Sequence, residues 1–235
     1  MHDEPIPFQR VPHRTQFFLL RHGESEGNRR RMIQGHVDMP LTDVGRDHAR
    51  AAGKYFSRGG LDHILSSPLS RARETAEIVA SSLANGSGQG PEPQISFLDC
   101  LKELDTGIFS GLTVSEIQEQ FPEEWDAFTH RSWEAVPSAE RLEELLARAA
   151  ETWEAMIQAA EGGARNVLAV SHGGMIQWLF KLTFSDRWSS WLPVTRTGNC
   201  GIYQLVVTPV PGDLSPEGPG FYAEWLKVNH LPYQR

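Results

Sequence analysis

The sequence predicts an α/β fold: a mostly parallel central sheet with helices on both faces. Two observations carry this. Short, bulky, β-prone runs alternate with amphipathic helical stretches along the chain. Two of those runs, Phe17-Phe18-Leu19-Leu20 and Val167-Leu168-Ala169-Val170, are almost wholly apolar, as strands buried on both faces are. The first ends in Arg21-His22-Gly23-Glu24 and the second in Ser171-His172-Gly173-Gly174. Open α/β sheets bind ligands beyond the carboxyl ends of such strands, so the pattern puts two distant imidazoles at one crevice. Arg21 beside them points to an anionic ligand, phosphate first, because a guanidinium fork matches its oxygens.

The elements follow in order. A first strand covers Gln16 to Leu20. A helix capped by Thr42 runs to about Ser57, with Val44, His48, Ala49, Ala52 and Phe56 at helical spacing, and Arg58-Gly59-Gly60 stops it. His63 to Ser66 is a second strand. Ser67-Pro68 opens a helix running to about Leu83, with proline tolerated in the first turn. Residues 85–91 read as a surface loop and Gln94 to Leu98 as a third strand. Lys102 to about Pro137 is irregular and aromatic, with Phe109, Phe121, Trp125, Phe128 and Trp133. It is expected to form a partial cap over the crevice. Ser138 to Ala160 is the clearest helix, with Leu142, Leu145, Leu146, Ala149, Trp153, Met156 and Ile157 on one face. After the Val167 strand come a helix from Gly173 to about Leu182, a strand from Ile202 to Val207, a Pro/Gly turn region from Pro209 to Gly220, and a last strand from Phe221 to Val228, expected to be antiparallel to its partner. No repeat or long linker divides the chain, so residues 1–235 are expected to form one domain.

Composition narrows the function. The chain has 235 residues, 40% of them hydrophobic, and a formal net charge of −8, which argues against a nucleic-acid partner. The basic run Arg29-Arg30-Arg31 is short and follows the first histidine, which suggests a local anion site. Cys100 and Cys200 have no metal-ligand spacing, and two thiols suit a reducing compartment. The polar N-terminus has no apolar core of a secretory signal, and no stretch reaches the ~18 apolar residues of a membrane span. A cytoplasmic protein without a membrane partner is expected. The pattern specifies no oligomeric state.

The segment Leu20-Arg21-His22-Gly23-Glu24-Ser25-Glu26-Gly27-Asn28 resembles the Arg-His-Gly motif of the histidine phosphatase superfamily, also called the phosphoglycerate-mutase-like family. Further likenesses follow in that family's order: Gln34 to Gly45, Ser66-Ser67-Pro68-Leu69-Ser70-Arg71-Ala72, Leu101-Lys102-Glu103 with Gly107 and Gly111, and Val170-Ser171-His172-Gly173-Gly174. The resemblance implies the phosphoglycerate-mutase-like fold and covalent catalysis without cofactor or metal. His22 is then the nucleophile, and Arg21, Arg71 and His172 surround the transferring group. Glu103 is the proton donor, with Asp105 its rival, and Arg73 is the alternative to Arg71. Asn28, Gln34, Gly35 and Gly173 join Arg21, Arg71 and His172 in binding phosphate or substrate, and His36 lies where it can touch substrate. Glu24, His48 and His63 read as structural.

The family holds phosphatases and mutases. The acid segment here is Glu103-Leu104-Asp105-Thr106-Gly107, unlike the Glu-Arg-His-Tyr-Gly of true phosphoglycerate mutases, and the span from Glu103 to His172 lacks their long insertion. Hydrolysis of a small phosphomonoester through phosphohistidine is therefore the leading expectation. Bisphosphoglycerate-dependent mutase transfer is the alternative, and a non-catalytic phospholigand-binding protein is a third. A metal hydrolase is disfavoured by the absence of local ligand spacing.

Overall fold

The protein is described by a computed structural model covering residues 6–84, 93–184, 195–210 and 220–234. Its main sheet has the order β4-β3-β6-β1-β7-β8, built from β1 (Thr15–Arg21), β3 (His63–Ser66), β4 (Gln94–Phe97), β6 (Asn166–Ser171), β7 (Ile202–Pro209) and β8 (Phe221–His230). The first four are mutually parallel. β7 runs antiparallel to β1, and β8 antiparallel to β7. Predicted and observed strands agree closely, and β8 extends two residues beyond its expected end. The expected loop at 85–91 and residues 211–219 of the expected Pro/Gly turn lie outside the described residues.

Alternation along the central strands feeds two cores. Phe17, Leu19, Val167 and Ala169 face α6 (Leu142–Glu161) and α7 (Gly173–Lys181), where Trp153, Met156, Ile157 and Leu179 are buried. Phe18, Leu20, Leu168 and Val170 face α2 (Asp43–Phe56) and α3 (Ser70–Ala84), where Ala49, Ala52, Phe56, Ala72, Ala76 and Val79 are buried. Burying both faces of β1 and β6 is what their unbroken apolar runs require. Small residues on α2 and α3 let the two helices approach. Gly53 lies against Ser82, where a Cβ would collide with the serine side chain.

Three helical features differ from the sequence reading. A four-residue helix α1 (Glu26–Arg29) follows the first histidine, with Ser25 and Asn28 forming a reciprocal cap. α3 begins at Ser70 rather than Ser67-Pro68: the Ser70 N–H is held by Asp38 Oδ1, and the first helical bonds run from Ala72 N and Arg73 N to the Leu69 carbonyl. α6 begins at Leu142 rather than Ser138, because Ser138 has a φ of 60° and Glu140 is tied back to Asp105.

The 102–137 region is more regular than expected. It contains β5 (Leu112–Thr113), α4 (Val114–Gln120) and α5 (Pro122–His130), and β5 pairs antiparallel with β2 (Met32–Ile33). Phe109, Ile117 and Val136 form its own small core, with Phe121, Trp125 and Phe128 packed against them. The segment is thus a packed subdomain, and the β2–β5 pair ties it to the loop after the first histidine. No helix among the described residues is long and apolar enough to cross a membrane.

Candidate active site

The site stands where three parallel strands end. β1 and β6 are neighbours with Arg21 opposite Ser171, so His22 and His172 leave the sheet side by side. Their ring centroids are 5.1 Å apart. β3 pairs with the other edge of β6, and the chain beyond it supplies Ser67 and then, from the first turn of α3, Arg71. Both imidazoles are buried, at 1% and 0% exposure.

Each ring is held through one nitrogen. His22 Nδ1 donates to the Gly23 carbonyl at 2.6 Å, which leaves Nε2 as the ring's lone-pair nitrogen. His172 Nε2 lies 2.8 Å from Ser67 Oγ, which leaves Nδ1 without a protein partner. Burial, reinforced by Arg21 and Arg71, holds the His22 pKa well below its ordinary value. Burial, then His22, Arg71 and Arg21, does the same to His172. Both rings are therefore neutral near pH 7.

The arginines are oriented by backbone carbonyls. Arg21 Nη1 donates to Thr197 O, and Arg71 donates from Nη1 to Val37 O and from Nη2 to Gly35 O, both at 2.9 Å. Burial lowers both guanidinium pKa values and the Glu103 carboxylate opposes that. Arginine stays charged in proteins even so. Arg21 Nε, Arg71 Nε and His172 Nδ1 are buried donors with no protein partner. Among the described residues only one other buried side-chain atom shares that condition, His48 Nδ1.

Glu103 comes from the subdomain side. Its Oε1 accepts from Leu104 N at 2.9 Å and Met175 N at 3.2 Å, so the carboxylate is gripped by its own chain and the first turn of α7. A Cβ at 174 would stand 2.6 Å from Oε1, which explains the second glycine of Gly173-Gly174. The cleft between these parts holds about 230 Å³ and is lined by Arg21, His22, Arg71, Glu103, Asn28, Gln34 and Gly35, with Met32, Ile33, Leu104, Thr106 and Gly174.

Most of the expected residues thus meet, with some roles revised. Gly35 offers its carbonyl to Arg71, and its positive φ of 50° packs it against Thr106 and Ser110. Asn28 Oδ1 already accepts from Ser25 N, Ser25 Oγ and Asn199 Nδ2, so its amide NH₂ is the group left for a ligand. Gln34 is buried, and its Oε1 accepts from Ser25 Oγ. Gly173 lies under the Arg21 guanidinium, while Gly174 lines the cleft.

Four other expectations are decided by position. Asp105 accepts from Gly107 N and faces His36, away from the cleft lining. Arg73 stacks on the Phe97 ring at 3.6 Å. His36, expected near substrate, instead donates from Nε2 to the Glu103 carbonyl at 2.7 Å. The Arg29-Arg30-Arg31 run, expected to form an anion site, does not line the cleft: Arg29 pairs with Glu26, and the other two side chains are exposed. Glu24 accepts from Thr42 Oγ1, His48 stacks on Tyr233 and His63 meets Ser96, consistent with structural roles.

Several supporting residues had no sequence signal. Asn199 Nδ2 donates to the His22 carbonyl at 3.2 Å, and Thr75 Oγ1 accepts from Gly23 N at 3.0 Å. Arg148 grips the acid segment, donating to the carbonyls of Cys100, Lys102 and Glu103 while paired with Glu140 at 2.6 Å. These are single polar residues inside ordinary elements, recognisable only from what they touch. No cluster of three or more His, Cys, Asp or Glu side chains suited to a metal occurs among the described residues.

A strand-end pair of buried neutral histidines flanked by two arginines and a carboxylate, on this sheet, defines a histidine-phosphatase-like protein. The sequence profile of the histidine phosphatase superfamily (branch 1) matches residues 17–213, and the chain belongs to that superfamily. A probable phosphoglycerate mutase, GpmB, of Serratia proteamaculans is 34% identical over 160 residues, 67% of this chain and 69% of that protein. Among solved structures, Bacillus stearothermophilus YhfR superposes with a TM-score of 0.72 at 28% identity, covering 90% of this chain and 96% of its own. A mycobacterial glucosyl-3-phosphoglycerate phosphatase shares the fold, with a TM-score of 0.75 at 24% identity, covering 92% and 99%.

The depressed histidine pKa values make stability depend on pH. The unfolded chain takes up protons at these rings near pH 6.5 while the folded site resists them. His22 and His172 therefore contribute stability above that pH, and it is lost as pH falls from 6.5 towards their folded values. Urea unfolding at pH 7.5 and 5.5 should show a loss at the lower pH. The loss should be shallower in His172→Gln, by up to about 1.4 kcal/mol per pH unit. An identical slope in the variant would show that His172 titrates alike folded and unfolded.

Proposed function

We propose that the protein hydrolyses small phosphomonoesters through a phosphohistidine at His22. The observation that carries the reading is three buried nitrogens without protein partners, Arg21 Nε, Arg71 Nε and His172 Nδ1, beside a neutral histidine whose Nε2 is free: Arg21 and Arg71 line the cleft with His22, and the His172 ring lies 5.1 Å from the His22 ring. Buried donors are nearly always satisfied, and a phosphoryl group supplies three acceptor oxygens together with the negative charge that two guanidinium groups demand.

In the first half-reaction His22 Nε2 attacks phosphorus in line with the ester oxygen. The N–P bond forms as the P–O bond breaks. Arg21, Arg71 and His172 hold the equatorial oxygens, whose charge is spread in the transition state. Nδ1–H, bonded to Gly23 O, carries the positive charge that develops on the ring. Glu103 lines the same cleft, with Oε2 left over after Oε1 is gripped by Leu104 N and Met175 N; with the phosphoryl group taking over the charge of the two arginines, the acid form of Glu103 gives its proton to the departing alkoxide and is left as the carboxylate. In the second half-reaction the Glu103 carboxylate takes a proton from water, which attacks phosphorus. The N–P bond breaks, and inorganic phosphate leaves with His22 neutral again.

A mutase reading draws support from the Serratia relative, whose name is that of a probable phosphoglycerate mutase. It differs only in the acceptor: the phosphoryl group of His22 passes to a second hydroxyl of a bound phosphoglycerate instead of to water. Supplying 3-phosphoglycerate with a trace of the 2,3-bisphosphate separates the two. Hydrolysis releases inorganic phosphate and glycerate, whereas transfer yields 2-phosphoglycerate.

His22→Ala is expected to retain the circular dichroism of the wild type and to lose turnover by ~10³-fold or more, as nucleophile deletions do. Rapid quenching with labelled substrate should trap acid-labile, base-stable phosphate on the wild type alone. Equal labelling of the variant would place the nucleophile elsewhere.

Glu103→Gln is expected to slow alkyl phosphates by ~10²–10⁴-fold and activated aryl phosphates much less, because only a poor leaving group needs the proton. Uniform loss across both substrate types would assign Glu103 to positioning.

Turnover is also expected to survive exhaustive dialysis against a chelator, since Arg21, Arg71 and His172 provide the charge neutralisation. A rate lost on dialysis and restored by one divalent ion would overturn the assignment.

A further inference from the structure

A second cavity adjoins the phosphate cleft. It holds about 210 Å³, and three of its lining residues, Ile33, Leu104 and Thr106, also line the cleft. The rest of its wall is Phe109, Phe128, Trp133 and Val136 from the 102–137 subdomain. Its polar groups are already used. Trp133 Nε1 donates to Glu140 O at 2.9 Å, and Thr106 Oγ1 is bonded to Ser110 Oγ at 2.9 Å. The wall therefore offers carbon to whatever enters and gives water few partners.

The position of this cavity follows the path of the leaving group. Glu103 lines the phosphate cleft, and Leu104, the next residue, lines both spaces. An ester oxygen within reach of Glu103 sits at the junction, with its phosphorus towards His22 and its carbon skeleton towards Leu104 and Ile33. An apolar cavity of ~150 Å³ accommodates a benzene ring, so the space here takes one aromatic ring or a compact branched alkyl group.

Building on the phosphatase reading, we infer that the favoured substrates are phosphomonoesters whose alcohol carries a compact apolar group, a ring or branched alkyl, one or two carbons from the ester oxygen. The subdomain cavity is the subsite that selects them. Small polyhydroxy alcohols, such as those of glycerol or glycerate phosphates, leave it unfilled.

The test compares 2-phenylethyl phosphate with ethyl phosphate and glycerol 3-phosphate, all esters of poor alkoxide leaving groups. A ring that enters the cavity is expected to raise kcat/KM by tenfold or more, since each buried methylene alone is worth about fourfold. 2-Naphthylethyl phosphate, too large for the cavity, should lose that advantage. Val136→Phe fills the cavity and should cut the ratio for 2-phenylethyl over ethyl phosphate by at least tenfold. Should that variant fail to fold, the size series on the wild type decides alone. Calorimetry with 2-phenylethylphosphonate and ethylphosphonate reads binding without turnover, and the aryl compound should bind at least tenfold tighter with a more negative heat-capacity change. A ratio within threefold for the esters, or one unchanged in folded Val136→Phe, overturns the subsite and leaves the phosphatase reading intact. Tighter aryl phosphonate binding without turnover of any ester upholds the subsite and overturns the phosphatase reading.

Discussion

Two guanidinium groups and two imidazoles are packed together at the ends of three parallel strands, and their mutual repulsion shapes much of the rest. Removing several cations from water at one place is tolerable only if some remain neutral and the others are matched by opposite charge. The imidazoles take the first course, with burial and the arginines driving their pKa values down. The arginines take the second, with Glu103 set against both. What remains unmatched is three buried nitrogens, Arg21 Nε, Arg71 Nε and His172 Nδ1, on the residues beside His22. Guanidinium and imidazole N–H groups so placed are complementary to the oxygens of a phosphoryl group.

Holding His22 in this position takes backbone as well as side chains. Its amide bonds Ser171 O on the neighbouring strand, and its carbonyl accepts from Cys200 N and Asn199 Nδ2 beyond the other edge of β1. Gly23 N donates to Thr75 on α3, and the Gly23–Glu24 backbone lies against Gly45 in the first turn of α2, so closely that a Cβ at either glycine would collide with the other segment. His22 is thereby fixed by β6, the segment leading into β7, α2 and α3. Rotating the ring would break the Nδ1–Gly23 bond that selects its tautomer, which is how fold rigidity becomes chemical selectivity.

The strands and their histidine ends were legible because burial on both faces leaves a continuous apolar run and because glycine must follow where helix backbones crowd the strand ends. The main helices were legible from their spacing. Their first turns were not, since those depend on remote partners: Asp38 holds the Ser70 N–H at the start of α3, and Glu140 bonds Asp105 and Arg148 instead of joining α6. The two-residue strands β2 and β5 are too short for a periodic pattern. Arg71 and Glu103 were found by motif, whereas the partners that orient them, the Val37 carbonyl and Arg148, carry no motif at all. His36 lies behind the cleft lining, with its Nε2 on the Glu103 carbonyl, a placement that its position beside Gln34 and Gly35 in sequence does not specify.

The division of labour between the two parts of the molecule follows from that anchoring. His22, Arg21, Arg71 and His172 are tied to the sheet and its covering helices. Glu103 and the apolar wall beyond it belong to a segment with its own small core. That segment is fastened by Arg148 of α6 through the Lys102 and Glu103 carbonyls, by the β2–β5 pair to the loop after His22, by Trp133 against Trp178, and by Met175 N to Glu103 itself. The wall residues Phe109 and Val136 pack with Ile33 and Leu112 of the β2–β5 pair, and Phe128 packs against both this small core and the main one. Their packing is therefore coupled to the loop after His22, so the apolar wall and the cleft share one frame. In such a frame the buried histidine pair belongs to the sheet ends, and the apolar cavity beside it belongs to the aromatic packing of the subdomain.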